Sequence, residues 1–130
     1  MSKANIICVD DQREVLAATK RELSVFENDY ELVECESAGE AEEVMNDLNN
    51  EGQEIKLIIC DHIMPGENGI DFLARISKDD RFKNVKRIVL TGLASQKDTI
   101  KAINEAHINF YLEKPWDSDA LVDAVKSLLD

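Results

Sequence analysis

The sequence Leu57-Ile58-Ile59-Cys60-Asp61 decides the fold, because an apolar run ends in a carboxylate and the chain turns at once. The apolar residues predict a buried strand, and Met64-Pro65-Gly66 predicts the turn. Three other apolar runs also lead into polar side chains. Residues 6–9 are followed by Asp10-Asp11, residues 88–90 by Thr91, and residues 110–112 run through Glu113 into Lys114-Pro115. Because the carboxyl ends of parallel strands lie together, we expect these side chains to form one ligand-binding site.

Helical patterns lie between the predicted strands. Apolar residues recur at helical spacing in residues 12–25, 41–48, 70–76 and 117–129, and a further helix is expected around Ile100 and Ile103. Ser37 and Glu40 have the spacing of a capping box, and Asp117 is a good N-cap residue. Residues 30–35 alternate as a fifth strand. This alternation of strands and helices predicts an α/β fold, a doubly wound five-stranded parallel sheet with helices on both faces.

The composition limits the classes of protein to which the chain can belong. Its 130 residues, 44% of them hydrophobic, are enough for one compact domain, and we expect a single domain over residues 1–130. The formal net charge of −12 disfavours direct binding to nucleic acid. The sequence has no signal-peptide pattern and no long apolar run, so we expect a cytoplasmic domain without a membrane span. Cys8, Cys35 and Cys60 fall in predicted strands and are expected to be buried apolar residues.

The four strand ends together resemble the receiver domain of two-component response regulators. The resemblance extends from residue 6 to residue 129 and implies a flavodoxin-like (βα)5 fold with strand order 2-1-3-4-5. It also implies a phosphoacceptor signalling domain that promotes only its own phosphoryl transfer and slow self-dephosphorylation, and not an enzyme. The motifs that carry it are Asp10-Asp11, Asp61 with Met64-Pro65-Gly66 and Gly69, Thr91-Gly92, and residues 111–115.

The resemblance implies that Asp61 is the phosphorylated residue and receives its phosphoryl group from a phosphohistidine on a partner kinase. A carboxylate and a phosphoryl donor are both anionic, so a divalent cation is needed to reduce their repulsion. Mg2+ takes carboxylate oxygens, which Asp10, Asp11 and Asp61 could supply. In the family, the backbone carbonyl at the position of Ile63 is a further ligand. The product would be an acyl phosphate.

Lys114, Thr91 and Gly92 are expected to contact the phosphoryl oxygens. The ammonium group of Lys114 would neutralise one oxygen, and the Thr91 hydroxyl would donate to another where Gly92 leaves room. In the family, the peptide bond before the residue at the position of Pro115 is cis, which orients the lysine into the site. We therefore expect a cis bond at Pro115.

The resemblance also implies how the phosphoryl group is sensed. Thr91 and Tyr111 occupy the positions of a hydroxyl and an aromatic side chain that move together on phosphorylation. The output surface would comprise the fourth helix, the fifth strand and the fifth helix, about residues 98–129. A sensor histidine kinase or phosphotransfer protein would donate the phosphoryl group, and an output domain or partner protein would bind this surface. The chain could be a stand-alone regulator or one domain of a longer protein.

Several positions depart from the usual pattern of the family. Ile63 and Leu93 are apolar where polar residues often flank the path of the attacking water, which predicts slow self-dephosphorylation. His107 occupies a helix end that is usually glycine, and histidine tolerates a left-handed backbone less well than glycine does. His62, directly after Asp61, is interpreted as an exposed loop histidine and not as a proton or phosphate relay.

Other interpretations compete with the receiver domain. A haloacid-dehalogenase-type phosphatase also uses an aspartate nucleophile, but that family has a second aspartate where this chain has Ile63, and the chain is short for such a core with a cap. A pseudo-receiver, which binds partners without taking phosphate, is favoured when an acid, the threonine or the lysine is lost, and none is lost here. A flavodoxin is disfavoured because no phosphate-binding loop follows the first strand.

Overall fold

The computed structural model describes residues 3–92, 97, 100 and 104–129 of the chain. Five strands form one sheet: β1 spans Ala4–Val9, β2 Tyr30–Cys35, β3 Ile55–Asp61, β4 Lys86–Thr91 and β5 Phe110–Glu113. All neighbouring strands are parallel, and their order across the sheet is β2-β1-β3-β4-β5. This order confirms the flavodoxin-like fold that the sequence predicted.

Four α-helices with defined bounds lie in the described part of the chain. They are α1 (Arg13–Glu22), α2 (Ala38–Asn50), α3 (Gly69–Ser77) and a C-terminal helix (Ser118–Leu129), and a short 3-10 helix (Leu23–Phe26) continues α1. Residues 97, 100, 104 and 105 are helical, but the bounds of the predicted fourth helix, and Ile103 in it, lie outside the described residues. None of the helices that can be described is long and apolar enough to cross a bilayer.

Polar side chains mark the starts of two helices, as the sequence predicted. The Ser37 hydroxyl accepts a hydrogen bond from the Glu40 amide over 3.1 Å and caps α2. The Glu40 carboxylate accepts from the amide of Glu36, whereas in a standard capping box it would accept from the amide of Ser37. The Asp117 carboxylate accepts from the Asp119 amide over 2.8 Å at the start of the C-terminal helix. Local polar signals therefore fix where both helices begin.

Alternate side chains of the central strands point to opposite faces of the sheet and fill two cores. The first core packs strand residues against α2 and α3, and the second packs them against α1 and the C-terminal helix. Burial on both faces explains why β1, β3 and β4 are continuous apolar runs. The first core includes Ile7, Ile58, Val89, Met45 and Leu73, and the second includes Ile6, Ile59, Ile88, Leu16 and Leu121.

The connection between α3 and β4 is more buried than its charged sequence suggests. Phe82 and Val85 are only 2% and 5% exposed and belong to the first core. The Arg81 guanidinium group lies over the Phe82 ring, 4.7 Å from its centroid, and remains exposed. These two apolar residues stand among charged ones without a helical or strand period, so the sequence did not identify them as core.

All three cysteines are buried in strands, as predicted. Burial raises the pKa of the Cys8 and Cys35 thiols to about 12, with smaller contributions from nearby acids. The pKa of Cys60 is also raised well above its ordinary value, again mainly by burial. The thiols are therefore protonated, apolar components of the core at neutral pH.

Polar side chains at the N-terminal end of the sheet donate to backbone carbonyls. Asn5, which is 2% exposed, donates from Nδ2 to the Glu54 carbonyl oxygen over 2.9 Å. Arg87, which is 5% exposed, donates to the carbonyl oxygens of Lys83 and His107 over 3.1 and 3.5 Å. His107 itself has a left-handed backbone, with φ of 51°, at the position where glycine is usual in the family. These bonds tie together the loops that lead into β3, β4 and β5.

Candidate functional site

Asp61 and Asp10 lie at the carboxyl end of the sheet on adjacent strands. Asp61 ends the central strand β3, and Asp10 directly follows β1, which pairs with β3. The two residues are 6% and 3% exposed. Asp11 is exposed, and one carboxylate oxygen from each of the three acids lies within 4.8 Å of the other two. The structure therefore brings together the three acids that the sequence predicted as metal ligands.

The ammonium group of Lys114 reaches both buried carboxylates. Its Nζ lies 2.8 Å from Asp10 Oδ2 and 3.3 Å from Asp61 Oδ1. The backbone amide of Lys114 donates to the Thr91 carbonyl oxygen over 3.0 Å and so joins the ends of β4 and β5. The peptide bond between Lys114 and Pro115 is cis, as expected. A single ammonium group thus contacts two buried carboxylates.

The pKa of Asp61 is raised from its ordinary value of 3.8. Burial of the carboxylate is the largest cause, and the negative charge of Asp10 is the next. The Lys114 ammonium and a hydrogen bond from the His62 backbone amide lower the pKa, but they do not cancel the first two effects. The ionised site therefore holds more negative charge than its own groups neutralise, and a bound cation would stabilise it.

An open cavity of about 310 Å³ lies beside these acids. Asp61, Lys114, Thr91, Gly92 and Ile63 all contribute to its lining. Thr91 is only 1% exposed, whereas the Ile63 side chain is half exposed at the entrance. A Cβ added to Gly92 would lie 3.7 Å from the Lys114 Cβ, which is an ordinary contact. Asp61, the Lys114 ammonium group and Thr91 thus line one open cavity.

Tyr111, the predicted aromatic switch residue, lies outside this cavity. It is half-buried in β5, pairs with Val89 of β4, and packs against the first core. Leu93, the second apolar position near the predicted path of water, falls outside the described residues. Six of the predicted site residues line the cavity: Asp11, Asp61, Ile63, Thr91, Gly92 and Lys114. Asp10 contacts Lys114, and Pro115 follows it in the chain.

The interpretation of His62 as an exposed loop residue is wrong. His62 is 6% exposed, and its Nδ1 accepts a hydrogen bond from the Ile70 amide over 3.4 Å. Its carbonyl oxygen accepts from the Gly69 amide over 2.8 Å. Both donors lie in the first turn of α3, where backbone amides lack partners within the helix. The imidazole is buried because it caps this turn, and a cap seven or eight residues distant leaves no local pattern in the sequence.

Gly69 allows the start of α3 to pack directly on Asp61. A Cβ at this position would lie only 2.0 Å from the Asp61 carbonyl oxygen and 3.1 Å from the Cys60 Sγ. The first of these distances is far below any van der Waals contact, so only glycine fits here. Gly66, with φ of 82°, makes the left-handed step in the preceding loop. These two glycines let the chain reverse direction within a few residues of Asp61.

Gln12 is a residue of the site that the sequence did not identify. Its amide donates to Asp10 Oδ1 over 2.9 Å, and it contributes to the lining of the cavity. Because Lys114 bonds to the other oxygen, both carboxylate oxygens of Asp10 have a donor. An aspartate that accepts from the amide two residues later is a common turn, so the Asp-Asp-Gln sequence did carry a usable signal.

The oxygen donors of the site fit a hard divalent cation. Mg2+ binds through carboxylates, carbonyls and water, and keeps several waters when bound. Asp10, Asp11 and Asp61 supply carboxylates at a suitable mutual distance, and the cavity leaves room for water. Burial and the neighbouring charge of Asp10 raise the pKa of Asp61, and a bound cation would oppose both effects. The residues present therefore match the cation in donor type and in charge.

Known proteins that are similar in sequence indicate the family of this chain. A family model described as the response regulator receiver domain matches residues 6–126. The hydrogenase transcriptional regulatory protein HoxA of Bradyrhizobium diazoefficiens is 33% identical over 124 residues, which cover 95% of this chain and 24% of HoxA. The chemotaxis protein CheY1 of Helicobacter pylori is 30% identical over 125 residues, which cover 95% of each chain.

A solved structure agrees with these sequence matches. The signal receiver domain of an HD domain-containing protein from Pseudomonas fluorescens Pf-5 has a TM-score of 0.86 to this chain at 32% identity, over 98% of this chain and 95% of that one. The chain spans about a quarter of HoxA but nearly all of CheY1. The sheet order and the acid-lysine site agree with the family match over residues 6–126. The chain therefore belongs to the response regulator receiver domain family of two-component systems.

Proposed function

We propose that Asp61 accepts a phosphoryl group from the phosphohistidine of a sensor histidine kinase or phosphotransfer protein, in a reaction that requires Mg2+. The position of Asp61 supports this proposal most strongly. Its carboxylate ends the central strand, lines an open cavity, and lies 3.3 Å from the only ammonium group at this site among the described residues. An aspartate placed in this way can act as a nucleophile.

In the proposed transfer, a carboxylate oxygen of Asp61 attacks phosphorus. The new P–O bond forms as the P–N bond to the donor imidazole breaks, and the imidazole takes the electron pair of that bond. Lys114 would neutralise one phosphoryl oxygen, and the Thr91 hydroxyl would donate to another beside Gly92. Water later hydrolyses the acyl phosphate and restores the carboxylate.

Asp10, Asp11 and Asp61 would hold Mg2+, with the Ile63 carbonyl oxygen as a further ligand. Receiver domains generally bind Mg2+ at an acidic pocket, and the three carboxylates within 4.8 Å of one another are suitable donors. When bound, the ion supplies positive charge that reduces repulsion between the carboxylate and the incoming phosphoryl oxygens. Asp10, already bonded to Lys114 and to the Gln12 amide, would help to fix the orientation of the ligand set.

Phosphorylation would be transmitted through Thr91 and Tyr111. Thr91 is buried at the end of β4, and Tyr111 lies on the adjacent strand β5, two positions along from the residue that pairs with Thr91. A new phosphoryl group adds charge and acceptors, and movement of the threonine towards it would leave space for the tyrosine. The surface affected would comprise the fourth helix, β5 and the C-terminal helix, about residues 98–129, where an output domain or partner protein would bind.

The setting of this activity is part of the proposal. Receiver domains are signalling domains, and we propose that residues 1–130 form a single phosphoacceptor domain, not an enzyme, located in the cytoplasm. The net charge of −12 argues that any output through nucleic acid would require another domain or protein. HoxA and CheY1 differ fourfold in how much of their length this chain matches, so both a longer regulator and a free-standing one are compatible with the likeness.

Labelling with acetyl phosphate tests the proposed function. The protein is incubated with acetyl phosphate with and without Mg2+, and its intact mass is measured. We expect one phosphoryl adduct that requires Mg2+, is removed by hydroxylamine and is absent from Asp61→Asn. Asp47→Asn, which changes an exposed acid of α2, is the matched control and should label like the wild type.

An adduct that persists in Asp61→Asn would contradict the assignment of the nucleophile. If no adduct forms, the same measurement is repeated with the phosphorylated histidine of a kinase as donor. Failure of both donors while Mg2+ still quenches or enhances Trp116 fluorescence would identify a pseudo-receiver, which binds partners without taking phosphate.

A further inference from the structure

Glu22, the last residue of α1, accepts hydrogen bonds from two donors on a distant segment of the chain. The Trp116 indole Nε1 donates to Glu22 Oε2, and the Ser118 hydroxyl donates to Glu22 Oε1 over 2.6 Å. The partners are separated by 94 and 96 residues in sequence. A carboxylate is an acceptor at both oxygens, so it can satisfy both donors at once. We call this arrangement the Glu22 clamp.

The segment held by the clamp also carries Lys114. Lys114 precedes Trp116 by two positions, with only Pro115 between them. Upstream, the Lys114 amide is fixed to the Thr91 carbonyl oxygen, and downstream the Trp116 ring packs against the second core. The backbone around Lys114 is therefore anchored on β4 at one side and on α1 at the other.

The side chain of Lys114 is long and flexible, so an anchored backbone helps to hold its ammonium group on the two carboxylates. A lysine stem has four rotatable bonds, and the ammonium group must reach both Asp10 and Asp61. Holding a flexible lysine in one place costs conformational entropy, and a fixed backbone limits the further freedom that must be lost. The side chain is 19% exposed, so solvent competes for the ammonium group whenever the backbone shifts.

We propose that Glu22 is a positioning residue for phosphoryl transfer, because it holds Trp116 and Ser118 and thereby keeps the Lys114 ammonium group on Asp10 and Asp61. Glu22 itself touches none of the reacting atoms. This inference rests on the proposed function of Asp61 for its role in the reaction. The placement of Lys114, however, can be measured without any phosphoryl donor.

Two variants weaken the clamp in different ways. Glu22→Gln keeps the size of the side chain but replaces one acceptor oxygen by a donor amide, so it cannot accept from both the indole and the hydroxyl. Trp116→Phe removes the N–H donor and keeps a smaller aromatic ring for packing. Glu27→Gln is the matched control, because it removes the same charge from an exposed glutamate five residues further along.

The first measurement is the reactivity of the Lys114 amine without Mg2+ or phosphoryl donor. Each protein is treated briefly with the succinimidyl ester of acetic acid, and acetylation of Lys114 is quantified by peptide mass spectrometry against the other lysines. We expect acetylation about three- to ten-fold faster in Glu22→Gln and Trp116→Phe, which is the range that the loss of one typical hydrogen bond would give. Glu27→Gln should match the wild type.

The second measurement is the initial rate of Asp61 phosphorylation by acetyl phosphate in the presence of Mg2+. We expect the initial rate to fall by a similar factor in the two clamp variants. In Glu27→Gln it should equal the wild-type rate. Thermal unfolding of each variant controls for loss of structure, and Trp116→Phe serves if Glu22→Gln does not fold. A general loss of stability would raise the acetylation of many lysines, whereas the clamp predicts an effect confined to Lys114.

The outcomes separate this inference from the proposed function. Unchanged Lys114 acetylation in both folded clamp variants would overturn the positioning role, even if Asp61 is phosphorylated. Faster acetylation in the clamp variants, together with slower phosphorylation, would support both. Faster acetylation in a protein whose wild type takes no phosphoryl group from any donor would support the placement of Lys114 by Glu22 and overturn the function of Asp61.

Discussion

The two ends of the sheet bury opposite kinds of polar side chain, donors at the N-terminal end and acceptors at the C-terminal end. At the N-terminal end, Asn5 and Arg87 are donors, and they meet backbone carbonyl oxygens that need donors. At the C-terminal end, the buried side chains of Asp10 and Asp61 are acceptors that share the single ammonium group of Lys114. At the first end, these hydrogen bonds join the loops that lead into β3, β4 and β5. The second has an excess of negative charge and is suited to bind a cation and an anionic group.

The largest expected effect concerns the close packing behind the C-terminal end. Gly69→Ala would place a Cβ 2.0 Å from the Asp61 carbonyl oxygen, so β3 and α3 would have to separate. We expect a loss of at least about 3 kcal/mol in the free energy of unfolding, measured by urea denaturation. Phosphorylation of Asp61 should be lost in the same variant under conditions where it remains folded.

Gly39→Ala is the control for this substitution. Gly39 lies in the first turn of α2, and the nearest atom to an added Cβ is the Ser37 Oγ at 3.9 Å. Alanine should therefore raise the free energy of unfolding by about 0.5 to 1 kcal/mol through its helix propensity. Equal losses in both variants would show that contact with Asp61 does not determine the effect.

A second substitution removes a buried guanidinium donor at the N-terminal end of the sheet. Arg87→Met keeps a long apolar stem but leaves the carbonyl oxygens of Lys83 and His107 without their donor. We expect a loss of about 1 to 2 kcal/mol in the free energy of unfolding, because partly buried carbonyl oxygens would lose their guanidinium donor. The rate of phosphorylation by acetyl phosphate should stay at the wild-type value. If Arg87→Met is phosphorylated more slowly at unchanged stability, the N-terminal end also affects the reaction, which contradicts the distinction between the two ends.

Asp61→Asn tests whether the ionised carboxylate at the C-terminal end lowers the free energy of unfolding. The raised pKa of Asp61 means that ionisation is less favourable in the folded state than in the unfolded state. Its contribution to stability is therefore present below the unfolded pKa and is lost as the pH rises through the folded pKa. When a chelator removes divalent cations, the free energy of unfolding of the variant should exceed that of the wild type at neutral pH by about 1 kcal/mol.

The pH dependence of this difference is the decisive measurement. Thermal unfolding of Asp61→Asn and the wild type is compared from about pH 3.5 to about pH 8 without divalent cations. The advantage of the variant should grow as the pH rises through the folded pKa of Asp61 and then level off. Added Mg2+ should then reduce it, because binding stabilises the wild type more. An advantage that is independent of both pH and Mg2+ would mean that the charge of Asp61 is not its cause.

The smallest expected effect lies at the entrance of the cavity. Ile63 is half exposed there, and an apolar side chain beside the acyl phosphate would hinder the approach and orientation of water. Ile63→Asn should shorten the lifetime of the phosphoryl group a few-fold, which corresponds to less than about 1 kcal/mol in the barrier. Loss of the adduct is followed by intact mass after removal of acetyl phosphate. A longer lifetime would reverse the proposed role of Ile63.

The sequence predicted the sheet and the acids because both leave patterns along the chain. Apolar runs ending in Asp10, Asp61, Thr91 and Lys114 combine strand period with turn residues, and parallel order then brings their ends together. The two alternating core faces followed from the same strands.

The details that the sequence missed depend on contacts between distant positions. His62 was expected to be exposed because histidine in a loop usually is, yet it caps the start of α3. Phe82 is buried by the path of a charged connection that shows no period, and Arg87 of β4 is buried where it donates to that connection. The hydrogen bonds from Trp116 and Ser118 to Glu22 join residues more than ninety positions apart, so no local sequence pattern predicts them.

The burial of all three cysteines has a practical consequence for spectroscopy. Because the thiols of Cys8 and Cys35 have pKa values of about 12, and that of Cys60 is also raised, they react slowly with maleimides at neutral pH. A cysteine introduced at an exposed position such as Asp123 would then carry a fluorophore or spin label in an otherwise native background. Distances from such a label to a second one could follow the C-terminal helix as phosphate arrives and leaves.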